Sequence, residues 1–189
     1  SIIRDIRLER VEIHGNSTTL ENVLIDNIIN GEVTTETLPG EILPPAGVLK
    51  ILGSNNTVSN SEVHVTEITG NDNTVSGSVL SRVVITGSRN EISQNTISNE
   101  STPSDSRAGV LITGAATRNR ISENSIFNHD GLGIDLSSNG SLPDGVTAND
   151  DLNFDVDTGP NNLLNFPVLE LTETGRIGGT LNSAPGTIY

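Results

Sequence analysis

The sequence predicts an all-β chain built as a parallel solenoid, and the spacing of its aliphatic residues is the main reason. From Ile51 the series consists of Ile51, Val58, Val63, Ile68, Val75, Leu80, Ile85, Ile92 and Ile97. Its steps of 7, 5 and 5 repeat, so that Ile51, Ile68 and Ile85 are equivalent positions, each one lap apart. Helical spacing does not occur in it. The pattern therefore predicts that each lap holds three short extended segments, each with one inward aliphatic residue. Stacked laps would bury a continuous core.

Composition excludes several classes of protein. Aromatic residues are 2% and there is no Trp, Met or Cys, a mixture common in disordered chains. The aliphatic residues recur too regularly for disorder. The sequence contains no apolar run of about 18 residues, so no membrane span is predicted. The absence of a basic stripe disfavours nucleic-acid binding. Ten acidic residues and no Lys or Arg lie between Arg120 and Arg176, so cations are the expected partners of that part.

Polar residues at the corners of the laps predict two side-chain ladders. Asn22, Asn56, Asn73, Asn90 and Asn119 are assigned to one corner, and Asn27, Ser61, Ser78, Asn95 and Asn124 to the next. Stacked about 4.8 Å apart, such side chains can hydrogen-bond along the axis, for about 0.5–1.5 kcal/mol each. Each buried aliphatic contributes about 1.5–3 kcal/mol. The core is therefore the larger stabilising contribution, and the ladders are expected mainly to set the register.

The predicted solenoid occupies residues 1–148, in about six or seven laps with two inserted loops. Ile3, Leu8 and Ile13 already keep the five-residue step, so the chain is expected to enter the repeat without a cap, as a piece of a longer protein. Prolines and glycines interrupt the pattern at 31–46, and a second break spans 99–108. The loops are interpreted either as tolerated surface excursions or as a binding face.

Two stretches resemble a known family. Residues 119–136, which include Gly131, Leu132, Gly133 and Ile134, resemble the right-handed parallel β-helix repeats of large secreted bacterial surface or adhesin-like proteins. Residues 149–161 and 165–169 resemble the Asp-rich segment that closes such β-helices. The resemblance covers about residues 50–189 and implies a right-handed fold and an extracellular setting. It implies no catalytic residue. Residues 149–189 are then an acidic closing segment and the start of a further β-element.

The acidic segment predicts a calcium site. Asp151, Asn153, Asp155 and Asp157 alternate with Leu152, Phe154 and Val156, so an extended strand places the polar set on one face. Carboxylates about 4 Å apart repel by roughly 4 kcal/mol at an effective dielectric near 20, and hard oxygen ligands suit Ca²⁺. The predicted ligands are Asp150, Asp151, Asn153, Asp155 and Asp157. An EF-hand is rejected, since the sixth and twelfth positions hold Val156 and Asn162. A solvated acidic edge strand is the alternative.

No catalytic constellation stands out. The single Lys, Lys50, is expected to have no acidic row beside it, and Asp130 with Asp135 near His129 is the best carboxylate pair for a glycosidase. His14, His64 and His129 fall in different laps. The sequence favours a non-enzymatic structural or adhesive module of an extracellular bacterial surface protein or fibre, with polysaccharide or another copy of itself as partner. The alternative is a carbohydrate-binding or polysaccharide-cleaving β-helix.

Overall fold

The computed structural model describes residues 1–5, 7–8, 10–25, 47–99, 107–137, 146–150, 157–172 and 175–182 of the chain. Over these ranges the protein is all-β, with one short 3-10 turn at Pro160–Leu163. No helix in the described part is long and apolar enough to cross a membrane.

The strands are short, and most have three or four residues. In chain order they are β1 (Ile2–Arg4), β2 (Arg7–Leu8), β3 (Arg10–Ile13), β4 (Thr19–Glu21), β5 (Leu24–Ile25), β6 (Val48–Ile51), β7 (Thr57–Ser59), β8 (Glu62–Ile68), β9 (Thr74–Ser76), β10 (Val79–Ile85), β11 (Glu91–Ser93), β12 (Thr96–Ser98), β13 (Val110–Thr113), β14 (Arg120–Ser122), β15 (Ser125–Phe127), β16 (Ile134–Ser137), β17 (Val168–Leu171) and β18 (Ile177–Thr180).

The first sixteen strands pair only in parallel and form three ladders. The first ladder is a six-stranded sheet with the order β1-β4-β7-β9-β11-β14. The other two belong to one ten-stranded sheet, because β8 and β10 are long enough to serve both. The second ladder runs β2-β5-β8-β10-β12-β15, and the third runs β3-β6-β8-β10-β13-β16. Each ladder thus takes one segment from each lap of the chain.

The predicted period and core are confirmed. Val58 pairs with Val75 and Val75 with Ile92 in the first ladder, and each of these steps is one predicted lap. Ile51, Ile68 and Ile85 are in register in the third ladder at the same interval. All nine aliphatics of the predicted series are at most 2% exposed. The core is therefore a set of stacked aliphatic columns, one behind each ladder.

Two laps are longer than the others. Thr57 pairs with Thr19 on one side and with Thr74 on the other, so the lap before it is more than twice as long as the lap after it. Glu91 pairs with Thr74 and with Arg120, and here the later lap is the longer one by more than half. The ladders keep their register across both insertions. Most of the predicted loops at 31–46 and 99–108 lies outside the described residues.

The second lap differs from the prediction in its corners. Because Thr19 pairs with Thr57 and Leu24 with Glu62, Thr18 lies beside Asn56 and Val23 beside Ser61. The assignment of Asn22 and Asn27 to the two ladders is therefore wrong. The physical reason is that Leu20, which is fully buried, is the inward aliphatic of this segment and not Leu24. Asn27 itself lies outside the described residues.

The start of the repeat has a neighbour on one side only. Ile13 is buried, whereas Ile3 is 36% exposed. Ile3 pairs with Leu20 of the next lap, and no described strand pairs with the other edge of β1. The partial exposure of Ile3 follows from this edge position.

One buried hydroxyl in the core has no partner. Thr66 is fully buried on β8, and its Oγ1 atom makes no hydrogen bond. Its ladder neighbours are Leu49 and Val83, both fully buried. An unsatisfied buried hydroxyl costs about 1–3 kcal/mol, whereas a valine of the same shape costs nothing in hydrogen bonding.

Replacing Thr66 by Val should therefore stabilise the protein. We expect Thr66→Val to raise the free energy of unfolding by about 1–2 kcal/mol, which is about 3–6 °C in Tm for a chain of this size. The control is Thr57→Val, since Thr57 is half-buried on β7 and faces away from the core. Thermal unfolding followed by circular dichroism measures both, and an unchanged or lower Tm for Thr66→Val would mean that the hydroxyl is satisfied.

The last two strands form a separate antiparallel pair. β17 and β18 pair from Val168 with Thr180 to Leu171 with Ile177. Leu169, Leu171 and Ile177 are between 68% and 79% exposed. This hairpin accordingly adds little to the buried core.

Candidate functional site

The first corner carries a continuous ladder of asparagines. The Oδ1 atoms of Asn73, Asn90 and Asn119 accept the backbone N–H of Asn56, Asn73 and Asn90 respectively, each at 2.9 Å. The same oxygen atoms also accept the side-chain amide of the preceding asparagine at 3.0–3.1 Å. All of these side chains are buried. The predicted asparagine ladder is thus present from Asn56 onward. Its side-chain oxygen atoms accept hydrogen bonds from the backbone N–H groups of the corner.

The second corner is built in the same way with smaller side chains. The N–H of Val23 donates to Ser61 Oγ, and the N–H of Ser61 donates to Ser78 Oγ, both at 3.1 Å. The series then changes to asparagine, because the N–H of Ser78 donates to Asn95 and that of Asn95 donates to Asn124, each at 2.9 Å. Both residue types also donate to a backbone carbonyl: Ser61 and Ser78 donate through Oγ to the carbonyls of Ser59 and Ser76, and Asn95 donates through Nδ2 to that of Val75. The two residue types therefore serve the same stacking role.

A further side-chain ladder was not predicted; it lies at the glycine corner, the corner that holds Gly15, Gly53, Gly70 and Gly87. It runs in the opposite sense, since the backbone N–H of each lap donates to a side chain of the preceding lap. The N–H groups of Ser54, Asn71, Ser88 and Thr117 donate at 2.7–3.1 Å to the side chains of Asn16, Ser54, Asn71 and Ser88 respectively. The signal in the sequence is an Asn or Ser directly after Gly15, Gly53, Gly70 and Gly87.

Glycine itself is required at this corner for space. A Cβ atom on Gly53 would overlap the backbone carbonyl of Gly15, and one on Gly70 would overlap that of Gly53. Gly87 stands in the same relation to Gly70. The obstacle is the backbone of the preceding lap and not the end of a side chain. The laps can therefore approach one another here only without side chains.

Exposed charges pair along the ladders. Arg89 holds Asp72 of the preceding lap with two bonds of 2.7 and 2.8 Å, and this hydrogen bonding lowers the pKa of Asp72. Glu91 and Arg120 are neighbours in register, with 3.7 Å between their charged atoms. Such exposed pairs contribute little to stability. They indicate charge matching between laps.

Lys50 does have acidic neighbours, contrary to the prediction. It lies between Glu12 and Glu67 in the third ladder and contacts Glu67 at 3.0 Å. Hydrogen bonds from His14 and Arg10 lower the pKa of Glu12. The long insertion separates residues 12 and 50 in sequence, which concealed their adjacency in the fold. This is the one mixed-charge row of the third ladder in the described part.

The best carboxylate pair for a glycosidase is not presented as expected. Asp130 is exposed, but Asp135 on β16 is only 5% exposed. The turn at Pro160–Leu163 packs against β16 and covers this part of the ladder. Asp135 is therefore not open to solvent, and it does not form an exposed pair with Asp130.

The predicted calcium ligands are described only in part. Asp151, Asn153 and Asp155 lie outside the described residues, whereas Asp150 and Asp157 lie within them. The backbone of Asp150 is tied into the closing segment, since its N–H donates to Asn165 Oδ1 at 3.0 Å and its carbonyl accepts from Asn182 Nδ2 at 2.9 Å. Over the described ranges no three acidic or histidine side chains are grouped closely enough to hold a metal ion.

The closing segment terminates the asparagine ladder. Asn161 Oδ1 accepts the N–H of Asn119 at 2.9 Å, and its Nδ2 donates to the carbonyl of Asn119 at 2.7 Å. The N–H of Asn161 donates to the carbonyl of Ala116 at 2.7 Å. Asn161 thus stands where the asparagine of a further lap would stand. Its backbone is left-handed (φ 45°), as are those of Asn162 and Leu163, so the chain turns here and does not continue as a strand.

Replacing Asn161 should detach this end of the ladder. We expect Asn161→Gly to lower the free energy of unfolding by about 1–3 kcal/mol, because two hydrogen bonds are lost. Asn162→Gly is the matched control: it relieves the same left-handed strain, and Asn162 is exposed. Urea unfolding of both variants makes the comparison, and equal losses in the two would show that the amide of Asn161 contributes nothing.

Comparisons of the chain with protein-family models, with curated proteins and with solved structures found no match. The functional interpretation of these ladders and of the closing segment accordingly rests on the geometry described above.

Proposed function

We propose that this chain is a non-catalytic structural or adhesive module of an extracellular bacterial surface protein or fibre. In this proposal the three ladders wind as a right-handed parallel β-helix of six laps, closed by the acidic segment. The observation that carries it is that the buried corner side chains hydrogen-bond to the neighbouring laps. Asn73, for example, accepts from Asn56 and donates to Asn90 and to the carbonyl of Gly53. Side chains committed in this way serve stacking.

The winding is supported by the path of the chain. Each lap contributes to the three ladders in the same order, and all of their strand pairs are parallel. Crossovers between parallel strands of one sheet are right-handed in nearly all proteins. The resemblance of residues 119–136 to right-handed β-helix repeats points to the same hand. The extracellular setting is supported by this resemblance and by the absence of cysteine from an acidic chain.

A repeat scaffold also accounts for the insertions. In solenoids each repeat contacts mainly its neighbours, so a lap can lengthen at a corner without disturbing the others. The ladders here keep register across both of the longer laps. The proposed module therefore presents loops on a stack of constant cross-section, which suits adhesion to a polysaccharide or to another protein surface.

We further propose that the closing segment binds Ca²⁺ through Asp150, Asp151, Asn153, Asp155 and Asp157. Chelation should then lower Tm by about 5–10 °C, since a ligand at a hundred times its Kd stabilises by about 2.7 kcal/mol. The double variant Asp151→Asn/Asp155→Asn should lose this response, whereas Glu123→Gln, an exposed residue outside the segment, should keep it. An unchanged Tm on chelation, with no calcium by elemental analysis, would remove the metal from the proposal.

The alternative is a carbohydrate-binding or polysaccharide-cleaving β-helix, and the row Glu12–Lys50–Glu67 favours it. This row provides a cation flanked by two carboxylates on one ladder. Incubation with a panel of polysaccharides, followed by assays for reducing ends and for unsaturated products, separates the two functions. The structural proposal expects no products. Products that disappear in Lys50→Ala would establish the alternative.

A further inference from the structure

Asn161 reproduces the contacts of a ladder asparagine without belonging to a strand. Within the ladder, each Oδ1 accepts the backbone N–H of the preceding asparagine at 2.9 Å, and Asn161 accepts that of Asn119 at the same distance. Pro160 beside it is buried, and the turn packs against β13 and β16. The space directly beyond Asn119 is therefore taken by a turn that cannot itself accept a further strand.

The turn takes the backbone N–H and carbonyl of Asn119, directly before β14, and the strand edge that begins there matches the opposite edge of the same stack. β14 and β15 begin five residues apart, at Arg120 and Ser125, and β1 and β2 begin five residues apart, at Ile2 and Arg7. The register puts Ile3 in the same aliphatic column as Ile121. Both side chains are incompletely buried, because each stands at an end of that column. The two edges could continue one ladder.

We propose that the turn at 159–163 is an end cap, and that it keeps β1 of a second copy of this chain from pairing with β14. This inference rests on the stacked architecture proposed above. Exposed strand edges recruit further strands unless something covers them. A contact between the two different ends of a stack does not close on itself, so it produces open filaments. The cap therefore determines whether the module stays single or assembles end to end.

The test compares the 189-residue chain with a variant whose cap is released. Pro160→Asp/Asn161→Gly places a charge at a buried position and removes the two side-chain hydrogen bonds to Asn119. Light scattering over an approximately hundredfold concentration range reports association by mass action. We expect wild type and Asn162→Gly to stay monomeric, and the released variant to increase in average mass at least about threefold. Adding Ile3→Lys to the released variant should restore the monomer, since a charge on an edge strand blocks pairing.

Several results would overturn the proposal. These are a released variant that unfolds cooperatively yet stays monomeric, assembly that Ile3→Lys does not reverse, and assembly of wild type to the same extent. A released variant that no longer unfolds cooperatively also overturns it, because the turn would then be part of the fold and not a cover. Neither the response to chelation nor the polysaccharide assay enters these outcomes, so failure of the cap and failure of the proposed function are distinguishable.

Discussion

Replacing Asn90 by alanine should lower the free energy of unfolding by about 2–5 kcal/mol. Asn90 accepts from Asn73 through one oxygen and donates through Nδ2 to the carbonyl of Gly70 and to Asn119 Oδ1, at 3.1 Å each. Alanine leaves the N–H of Asn73 and the carbonyl of Gly70 without these partners in a buried corner. Each orphaned group costs about 1–3 kcal/mol. Urea unfolding gives the loss directly.

The control for Asn90→Ala is a substitution at Asn71, an asparagine that also accepts a backbone N–H from an adjacent lap. Asn71 accepts the N–H of Ser88 at 2.8 Å from a half-buried position in the glycine-corner ladder. Water can replace it there, so Asn71→Ala should cost about 1 kcal/mol. If Asn90→Ala cost no more than Asn71→Ala, the inner asparagines would not be the residues that hold the corner, and the structural interpretation of the ladder would fail.

Replacing Gly70 by alanine should destabilise the protein by about 3 kcal/mol, at the upper end for overpacking. The added Cβ atom meets the carbonyl of Gly53 and the carbonyl oxygen of Leu52. Both obstacles are backbone of the adjacent lap, which is held by parallel pairing on either side. Relief requires that two laps move apart, and the hydrogen bonds of the corner are lost with that movement.

The matched control is Gly114→Ala. A Cβ atom on Gly114 has nothing within 4 Å, but its φ of 70° is left-handed. Alanine at this position should therefore lower the free energy of unfolding only by the backbone cost of a left-handed conformation, about 1–2 kcal/mol. A larger loss at Gly114 than at Gly70, measured by thermal unfolding of both variants, would mean that the laps are not in close contact at the glycine corner.

Sequence reasoning recovered the core because inward positions are separated by fixed steps. The equal spacing of Val58, Val75 and Ile92 is visible without a structure, and it is also the interval of the strand register. The same reasoning failed at Asn22, where Leu20 and Leu24 are both aliphatic and only pairing shows which one faces inward. A period therefore predicts a column well, except where a lap offers two candidates.

Contacts across long insertions could not be predicted. Glu12 meets Lys50, and Asn119 meets Asn161, across separations that are not multiples of the lap that joins Val58 to Val75. The sequence predicts that residues 149–161 close the repeat and that their carboxylates bind a cation, but it does not indicate that Asn161 acts through its amide. The predicted metal ligands stay a prediction, because three of the five lie outside the described residues.

The most direct test of the account measures the length of the first ladder. Thr19 and Arg120 lie on β4 and β14, four pairing steps apart in the sheet order. At about 4.8 Å a step, nitroxide labels at these two positions should be about 20 Å apart, and pulsed dipolar EPR should give a single narrow distribution there. A broad distribution, or one centred beyond about 35 Å, would contradict the stacked ladders and with them the structural module.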